Sequence, residues 1–529
     1  MLEQVLINGE WRDARQEEGA FAAVNPATKS PLPLSYPVSN ADEVDEAIQA
    51  GARAAEQIHA LGADAPDQIA AFLEAYAAQI EARADALITL AELETGLPAM
   101  PRLRQAELPR TVDQLQQAAR AARERSWCHA TLDTGRNIRS MYGPLGGAVV
   151  VFGPNNFPFA FNSAAGGDFA AAIAAGNPVI AKGNTGHPGT TKLFAEAALE
   201  ALQHTELPRG MVQLLYRVKR ADGFRLVSHP MVGATAFTGS KEAGLQLKEA
   251  ADKAGKPIYL EMSSINPIVI LPGALEERLE GIADELYSSC ALGVGQFCTK
   301  PGFVVLLKGA ETEAFVSAVQ ARFAGNPPGI LLGEGGLQTI ADNVQGMLAH
   351  GAELVTGGAA IAGPSYRYAN TLLRVSGERF LEAAGPLQTE AFGVVSLLVT
   401  ARDEGQVVEI IRAMEGNLTG SIYSHRGGRD DRLYNAIAPL LRQRVGRLLN
   451  DKMPTGVAVT PAMNHGGPFP ATGHPGFTAV GAPASMLRFA ALHCYDSVRL
   501  DRLPVELRDK NPTGRMWRFI DWEWTQRDV

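Results

Sequence analysis

Ala148-Val149-Val150-Val151-Phe152-Gly153-Pro154-Asn155-Asn156-Phe157-Pro158 is the stretch on which the fold turns. A short apolar, β-branched run that stops at Gly-Pro-Asn reads as a buried strand with an abrupt end. Similar runs follow at 178–181, 212–215, 234–237 and 258–260, each separated by a helix-length, often Ala-rich segment. That alternation predicts right-handed βαβ crossovers and a parallel sheet covered on both faces. Open α/β sheets bind ligands beyond the carboxyl ends of their strands, so residues just after each run are candidates for chemistry.

Several such residues suit one another. Asn156 follows the first strand and offers a neutral amide donor, suited to an oxyanion, although an ordinary turn Asn fits the same position. Glu261 follows the last strand; a carboxylate in a water-poor site acquires a pKa fit for a general base. Cys298, in Gly295-Gln296-Phe297-Cys298-Thr299, sits in a turn that can expose its sulfur and surround it with N–H groups. A buried apolar cysteine is the alternative. Phe237-Thr238-Gly239-Ser240-Lys241-Glu242-Ala243-Gly244 leads from a strand into a helix without forming a G-x-G-x-x-G fingerprint. His465, in Asn464-His465-Gly466-Gly467-Pro468-Phe469-Pro470, either lowers a thiol pKa or bonds loop backbone.

Taken in order, these motifs resemble the aldehyde dehydrogenase superfamily from Ile7-Asn8-Gly9-Glu10-Trp11 to about Gly481. The segments around Pro454-Thr455-Gly456-Val457 and His465–Thr472 are similar to its ketoglutarate-semialdehyde branch, near the fatty-aldehyde branch. The resemblance implies an aldehyde dehydrogenase-like α/β fold. Residues 1–125 and 141–263 would form a parallel-sheet cofactor-binding domain and 264–460 an α/β catalytic domain. Residues 126–140 and 461–529 would form an oligomerisation arm and C-terminal segment, in a homodimer or homotetramer. It also implies NAD(P)-dependent oxidation of an aldehyde by Cys298, with Asn156 holding the oxyanion and Glu261 activating water. His465 stands where one branch places a histidine near the cysteine.

For the cofactor, the resemblance assigns Lys182 to the adenosine ribose and Ser240, with Phe237, Gly239 and Gly244 around it, to a helix end beside the pyrophosphate. Glu390 and Phe392 would hold the nicotinamide ribose and ring. Thr185, where a glutamate would repel a 2′-phosphate, favours NADP over NAD, with Arg220 or Lys219 as its counter-charge. Met262-Ser263-Ser264 replaces the usual Leu-Gly-Gly after the glutamate, and Val394 replaces the usual Pro after Gly393. The expected substrate is 2-oxoglutarate semialdehyde (2,5-dioxopentanoate), bound by Arg110 and Gln114 on a helix at 102–123. Arg110 as a surface charge is the alternative. Phe159 and Phe297 as apolar walls would instead suit a medium- or long-chain aldehyde. A cysteine acyl hydrolase using Cys298 and His465 leaves the cofactor motifs without a purpose, and a non-catalytic scaffold leaves the whole set without one.

Composition narrows the classes further. The chain has 529 residues, 46% hydrophobic and 20% charged, enough for two or three domains. A net charge of −9 argues against nucleic acid or an anionic membrane as partner. No apolar run approaches a membrane span, and Met1-Leu2-Glu3-Gln4 lacks the start of a signal peptide, so a cytoplasmic protein is expected. Cys128, Cys290, Cys298 and Cys494 form no disulfide framework, and neither they nor the histidines show metal-ligand spacing. Near the N-terminus, Asn40 and Glu43 predict a capped helix over 40–60, and Pro66-Asp67 opens a second that stops at Gly96-Leu97-Pro98. Residues 453–484, rich in Pro and Gly, read as irregular. Trp517, Trp522 and Trp524 are candidates to anchor the tail to the body or to a partner subunit.

Overall fold

The computed structural model describes residues 2–14 and 19–529. Its first sheet is seven-stranded, in the order Ile258–Glu261, Val232–Thr238, Ala148–Phe152, Val179–Lys182, Val212–Leu215, Val5–Ile7, Glu10–Arg12. From Ile258–Glu261 to Val212–Leu215 all neighbours are parallel, and the N-terminal pair adds an antiparallel edge. Ala148, Val149 and Val150 have no exposed surface, as strands covered on both faces require. The second run begins at Val179 because Pro178 has no N–H to donate; its carbonyl still accepts from Val149 N at 2.8 Å. The fourth extends to Val232–Thr238 through a register shift between Val232 and Ala234.

Chain order across this sheet reverses at Ala148–Phe152. The next two strands lie on one side and Val232–Thr238 on the other. The crevice at that reversal is where an open α/β sheet accepts a ligand. The N-terminal helices pack against this domain. Ala41–Ala60 is capped by Asn40, whose side chain accepts from Glu43 N, and buries Val44, Ala47, Ile48 and Ile58. Ala65–Ala82 and Ala84–Thr95 follow, and the second ends at Gly96 in a left-handed conformation with φ 67°. The helix bearing Arg110 is Leu108–Glu124, entered through a wide helical turn at Ala99–Glu107.

A second seven-stranded sheet is ordered Glu353–Thr356, Thr371–Ser376, Val395–Ala401, Phe303–Leu307, Pro267–Ile270, Asn417–Tyr423, Val445–Asn450. Only its first strand is antiparallel to its neighbour. Every residue of Asn417–Tyr423 is buried. Between Asn450 and Ala484 the chain runs without helix or strand, held by isolated bridges such as Glu261 to Thr472.

The C-terminal segment joins a five-stranded sheet in which Ala490–Asp496 pairs with Ile138–Pro144, and Arg518–Ile520 pairs with Thr131–Asp133. The buried contacts of this segment are made by side chains other than its tryptophans. Cys128, Ala130, Leu132, Leu503, Leu507 and Met516 form the buried cluster, and each large apolar side chain buried there contributes about 1.5–3 kcal/mol. Arg518, fully buried, donates to the carbonyls of Arg508, Asp509 and Arg527 at 2.6–3.1 Å. Trp517, Trp522 and Trp524 stay largely exposed; Trp524 rests edge-on against His129.

Candidate active site

The carboxyl ends of the first sheet open into a cleft of about 840 Å³ closed on its far side by the second sheet's loops. Phe152, Lys182, Phe237 and Glu261 line it from the strand ends, Asn156 and Thr185 from the loops beyond them, and Cys298, Glu390 and Phe392 from the other side.

The cysteine loop is tightly determined. Gly293, Val294 and Gly295 are consecutive left-handed residues with φ of 57°, 58° and 71°. A Cβ on Gly295 would lie 2.1 Å from the Gly393 carbonyl carbon, so only glycine lets this loop press on the Glu390–Gly393 segment. Asn266, itself left-handed, donates Nδ2 to the carbonyls of Cys298 at 2.8 Å and Lys300 at 2.9 Å. The half-buried Cys298 is thereby fixed at the cleft wall. Asn156, buried, donates Nδ2 to Gln296 O at 2.8 Å, which ties the loop after the first strand to the cysteine loop. Arg102 donates to Asn156 O at 2.8 Å and pairs with buried Glu107. Glu107 in turn accepts from the N–H groups of Phe159 and Ala160, so Asn156 is held from both sides.

Cys298, His465 and Glu261 meet. His465 Nε2 is 3.2 Å from Cys298 Sγ and 2.7 Å from Glu261 Oε1. Burial raises the Cys298 pKa well above the ordinary thiol range, and the Glu261 carboxylate and Glu390 raise it further, against the opposing charge of Arg110. The sulfur has a potential proton acceptor, the His465 imidazole, within hydrogen-bond reach. Each of the three residues offers one ligand atom, all within 4.8 Å of one another. A search by sequence spacing passes over this set because His465 lies 167 residues beyond Cys298.

The donor set of the cleft fits a nicotinamide dinucleotide. Lys182 stands at a strand end with its pKa lowered to about 8 by burial and then by Arg217. Thr185 is exposed beside it. Ser240 caps the helix Lys241–Lys253, accepting from Ala243 N, which leaves a helix N-terminus at the cleft wall for an anion. Glu390 is pushed up to about 7 by burial, and is partly restrained by Lys300, the Ser264 N–H and the Ser263 hydroxyl. The Ser263-Ser264 departure thus has a structural use. Ser264 Oγ also lies 3.0 Å from Asn266 Oδ1 and 3.1 Å from Asn417 Oδ1, with one hydrogen to donate between them, and accepts from Leu418 N at 3.0 Å.

Some sequence expectations fall elsewhere. Arg220 is exposed outside the cleft with its guanidinium 5.6 Å from the Phe224 ring; the cation whose field reaches Lys182 is Arg217, on a short strand paired with Val38 and Ser39. Gly244 lies inside its helix rather than at the cleft wall, where a Cβ would meet Met262 Sδ at 2.9 Å. It serves helix packing. Phe159 is fully buried against Phe194, and Phe297 is buried against Phe157, so neither forms a wall of the open cleft. Arg110 and Gln114 do come near the centre. With Phe161, Glu261 and His465 they line a small chamber of about 40 Å³. Arg110 donates to Gln114 Oε1 at 3.1 Å and to Val457 O at 3.0 Å, while its Nη2 is buried without a partner. Arg447, which sequence reading missed, holds the carbonyls of Pro454 and Gly456, and its field also reaches Cys298.

Residues 11–467 match the model of the aldehyde dehydrogenase family. The chain belongs to that family. It is an NAD(P)-dependent aldehyde oxidoreductase by that membership. Among curated relatives it is 42% identical over 461 residues to alpha-ketoglutaric semialdehyde dehydrogenase 2 of Azospirillum brasilense, covering 84% of this chain and 85% of the relative. It is 34% identical over 501 residues to alpha-ketoglutaric semialdehyde dehydrogenase of Acinetobacter baylyi, covering 93% of each. Of solved structures, lactaldehyde dehydrogenase from Escherichia coli superposes with a TM-score of 0.79 at 23% identity, over 93% of this chain and 98% of that one. An NAD-dependent aldehyde dehydrogenase from Sinorhizobium meliloti gives 0.78 at 22%, over 95% and 96%. These two likenesses bear on the fold. Among the described residues no helix is long and apolar enough to cross a membrane.

Proposed function

We propose that this protein oxidises 2-oxoglutarate semialdehyde to 2-oxoglutarate, using NADP in preference to NAD. The observation that carries the reaction is the meeting of Cys298, His465 and Glu261 beside the Asn156 amide, at the end of a cleft suited to a dinucleotide. The substrate rests on the relatives named above and on Arg110, whose buried, unpartnered Nη2 offers a donor to a carboxylate near the sulfur.

In this reading Cys298 loses its proton to the adjoining His465 imidazole and attacks the aldehyde carbon, forming a C–S bond. The carbonyl oxygen becomes an oxyanion stabilised by the Asn156 amide and the backbone N–H of Cys298. A nicotinamide dinucleotide bound in the cleft would supply the acceptor for the hydride that the adduct must lose to become a thioester; Glu390 and Phe392 would hold its nicotinamide end, and Lys182, Thr185 and the helix beginning after Ser240 the remainder. Glu261 then takes a proton from water, the resulting hydroxide adds to the thioester carbon, and the C–S bond breaks. Sulfur regains a proton and the carboxylate leaves. Each role uses a matching residue type: a soft nucleophile, a neutral donor, a carboxylate base.

NADP is favoured because Thr185 presents no negative charge to a 2′-phosphate, and Arg217 is the nearby cation. The arrangement of the domains follows the same family reading: cofactor binding by residues up to about 263, catalysis by 264–460, and assembly through the arm. Among the described residues the outer edge of Ala490–Asp496 is unpaired and Leu492 on it is 62% exposed, which supports a homo-oligomer joined along that strand. Incubation of the purified protein with 2-oxoglutarate semialdehyde and either cofactor, followed by reduced-nicotinamide absorbance, tests the proposal. Turnover with NADP that disappears in Cys298→Ala supports it; turnover confined to long-chain aldehydes overturns the substrate.

A further inference from the structure

We infer that Cys298, His465 and Glu261 form a binding site for a soft divalent cation of the zinc class, and that occupancy of this site reversibly switches the enzyme off. The metal site itself rests on geometry; its inhibitory effect rests on the reading of Cys298 and Glu261 given under Proposed function.

A thiolate, an imidazole nitrogen and a carboxylate oxygen make the donor set of a zinc site with three protein ligands and an open fourth position. Here the three ligand atoms lie within 4.8 Å of one another. The S–N separation is 3.2 Å and the N–O separation 2.7 Å. Tetrahedral zinc with bonds of about 2.3 Å to sulfur and about 2.05 Å to nitrogen and oxygen has edges near ~3.5 Å and ~3.3 Å. The S–N pair must open by about 0.3 Å and the N–O pair by about 0.6 Å, which small rotations at the tips of the side chains supply.

Charge favours the cation as well. With Cys298 ionised, the thiolate and the Glu261 carboxylate together neutralise a double positive charge. Two guanidiniums oppose them, Arg110 with a field that reaches both and Arg447 with one that reaches Cys298, while Glu390 acts on Cys298 in the same sense as Glu261. The scaffold is rigid: Glu261 ends a sheet strand, the Cys298 carbonyl is held by Asn266, and His465 N donates to Thr478 O at 2.9 Å. Metal-bound histidines use the other ring nitrogen for an outer partner. His465 Nδ1 is buried without a hydrogen-bond partner and borders the chamber of about 40 Å³ shared with Asp168 and Arg488. That chamber has room for a water, which needs roughly 10–15 Å³, to serve as the outer partner.

Binding exchanges one proton for the metal. The S–H bond breaks, its proton passes to buffer, a sulfur–metal bond forms, and no group is oxidised or reduced. The sulfur can then no longer attack a carbonyl, and Glu261 can no longer take a proton from water. The site in the resting enzyme is thus open to capture, and a chelator restores it.

The test uses the full-length protein carrying Cys494→Ser, which removes the exposed cysteine remote from the site on Ala490–Asp496. Zinc binding is counted by equilibrium dialysis. Co²⁺ serves as an optical probe through the near-ultraviolet thiolate-to-metal charge-transfer band. Expected are one cation per chain, the Co²⁺ band, loss of aldehyde turnover in step with occupancy, and recovery with EDTA. His465→Asn and Glu261→Gln should each weaken binding by at least ~10-fold, and Cys298→Ser should remove the band. Circular dichroism confirms that each variant is folded. Failure of the parent protein to retain zinc overturns the inference, as does binding unchanged in both His465→Asn and Glu261→Gln. One tightly bound cation with the expected variant pattern, in a protein that turns over no aldehyde, leaves the metal site standing and overturns the functional reading instead.

Discussion

His465 Nε2 lies 2.7 Å from Glu261 Oε1, although Glu261 ends a strand of the first sheet and His465 belongs to a long irregular segment beyond the second. The same nitrogen is 3.2 Å from Cys298 Sγ, so the proposed nucleophile and base communicate through one imidazole. This arrangement separates the two halves of the reaction. Glu261→Gln keeps the sulfur and the Asn156 amide but removes the base that draws a proton from water. Steady-state turnover should fall by roughly 10²–10⁴-fold while a stoichiometric burst of reduced nicotinamide persists. Stopped-flow absorbance checks this. A burst lost together with turnover would show that Glu261 acts before the thioester, not after it.

Ser263 and Glu390 make a second coupled pair. Burial raises the Glu390 pKa to about 7, and the Ser263 hydroxyl is among the groups that restrain the rise. The ionised carboxylate is the form that accepts from ribose hydroxyls. It is half populated near pH 7, approaches completeness only above about pH 8, and is lost as the pH falls through 7. Cofactor KM should therefore climb as the pH is lowered from about 8 to about 6. Ser263→Ala removes a stabilising donor, so the break should move to higher pH. Initial rates across that range in both proteins provide the measurement. A break that moves downward, or does not move, contradicts the assignment of Ser263.

The strands were legible in the sequence because each is a short apolar run ending in a turn residue, and a parallel sheet buried on both faces leaves that pattern uninterrupted. Asn156, Lys182, Phe237 and Glu261 could be found because they follow those runs at the carboxyl edge. Cys298 stood out through the glycines around it, and Gly295 proves to be required by the approach of Gly393. Contacts between distant segments left no such mark. Nothing near His465 shows that it reaches Glu261, and nothing near Arg102 shows that it braces Asn156 with Glu107 behind it. Sequence reading offers Arg220 or Lys219 as the counter-charge and passes over Arg217, because distance along the chain cannot show that Arg217 pairs beside Val38 and projects its field onto Lys182. The tail tryptophans drew attention by size, yet Met516, Leu503 and the buried Arg518 hold that segment.

Thr185 tests the choice between cofactors. It is exposed on the cleft wall near Lys182 and carries no charge. Thr185→Glu places a carboxylate where a 2′-phosphate would come and where a free 2′-hydroxyl could instead donate. The ratio of kcat/KM for NADP over NAD should drop by at least ~10-fold, since even a partly screened like-charge contact costs more than about 1.4 kcal/mol at close range. An unchanged ratio would place the 2′ position elsewhere in the cleft.

Arg110 decides between the two aldehyde classes. Its Nε and Nη1 are engaged with Gln114 and Val457, which fixes the guanidinium, and Nη2 remains buried without a partner. Burial lowers its pKa somewhat, but the fields of Cys298, Glu107 and Glu261 act in the opposite direction, so it stays a cation. A hydrogen bond to a charged group contributes about 1.5–3 kcal/mol, and an unpaired buried donor is costly to leave unmet. Arg110→Leu should therefore raise KM for 2-oxoglutarate semialdehyde by roughly 10- to 100-fold, with a much smaller change for an uncharged aldehyde such as hexanal. Lysine at this position should restore little, because it lacks the fork that Gln114 and Val457 hold in place. Equal losses on the charged and uncharged substrates would mean that Arg110 supports the local packing of Phe157 and Phe161, whose rings lie 5.9 and 5.0 Å from its guanidinium, and does not read the carboxylate.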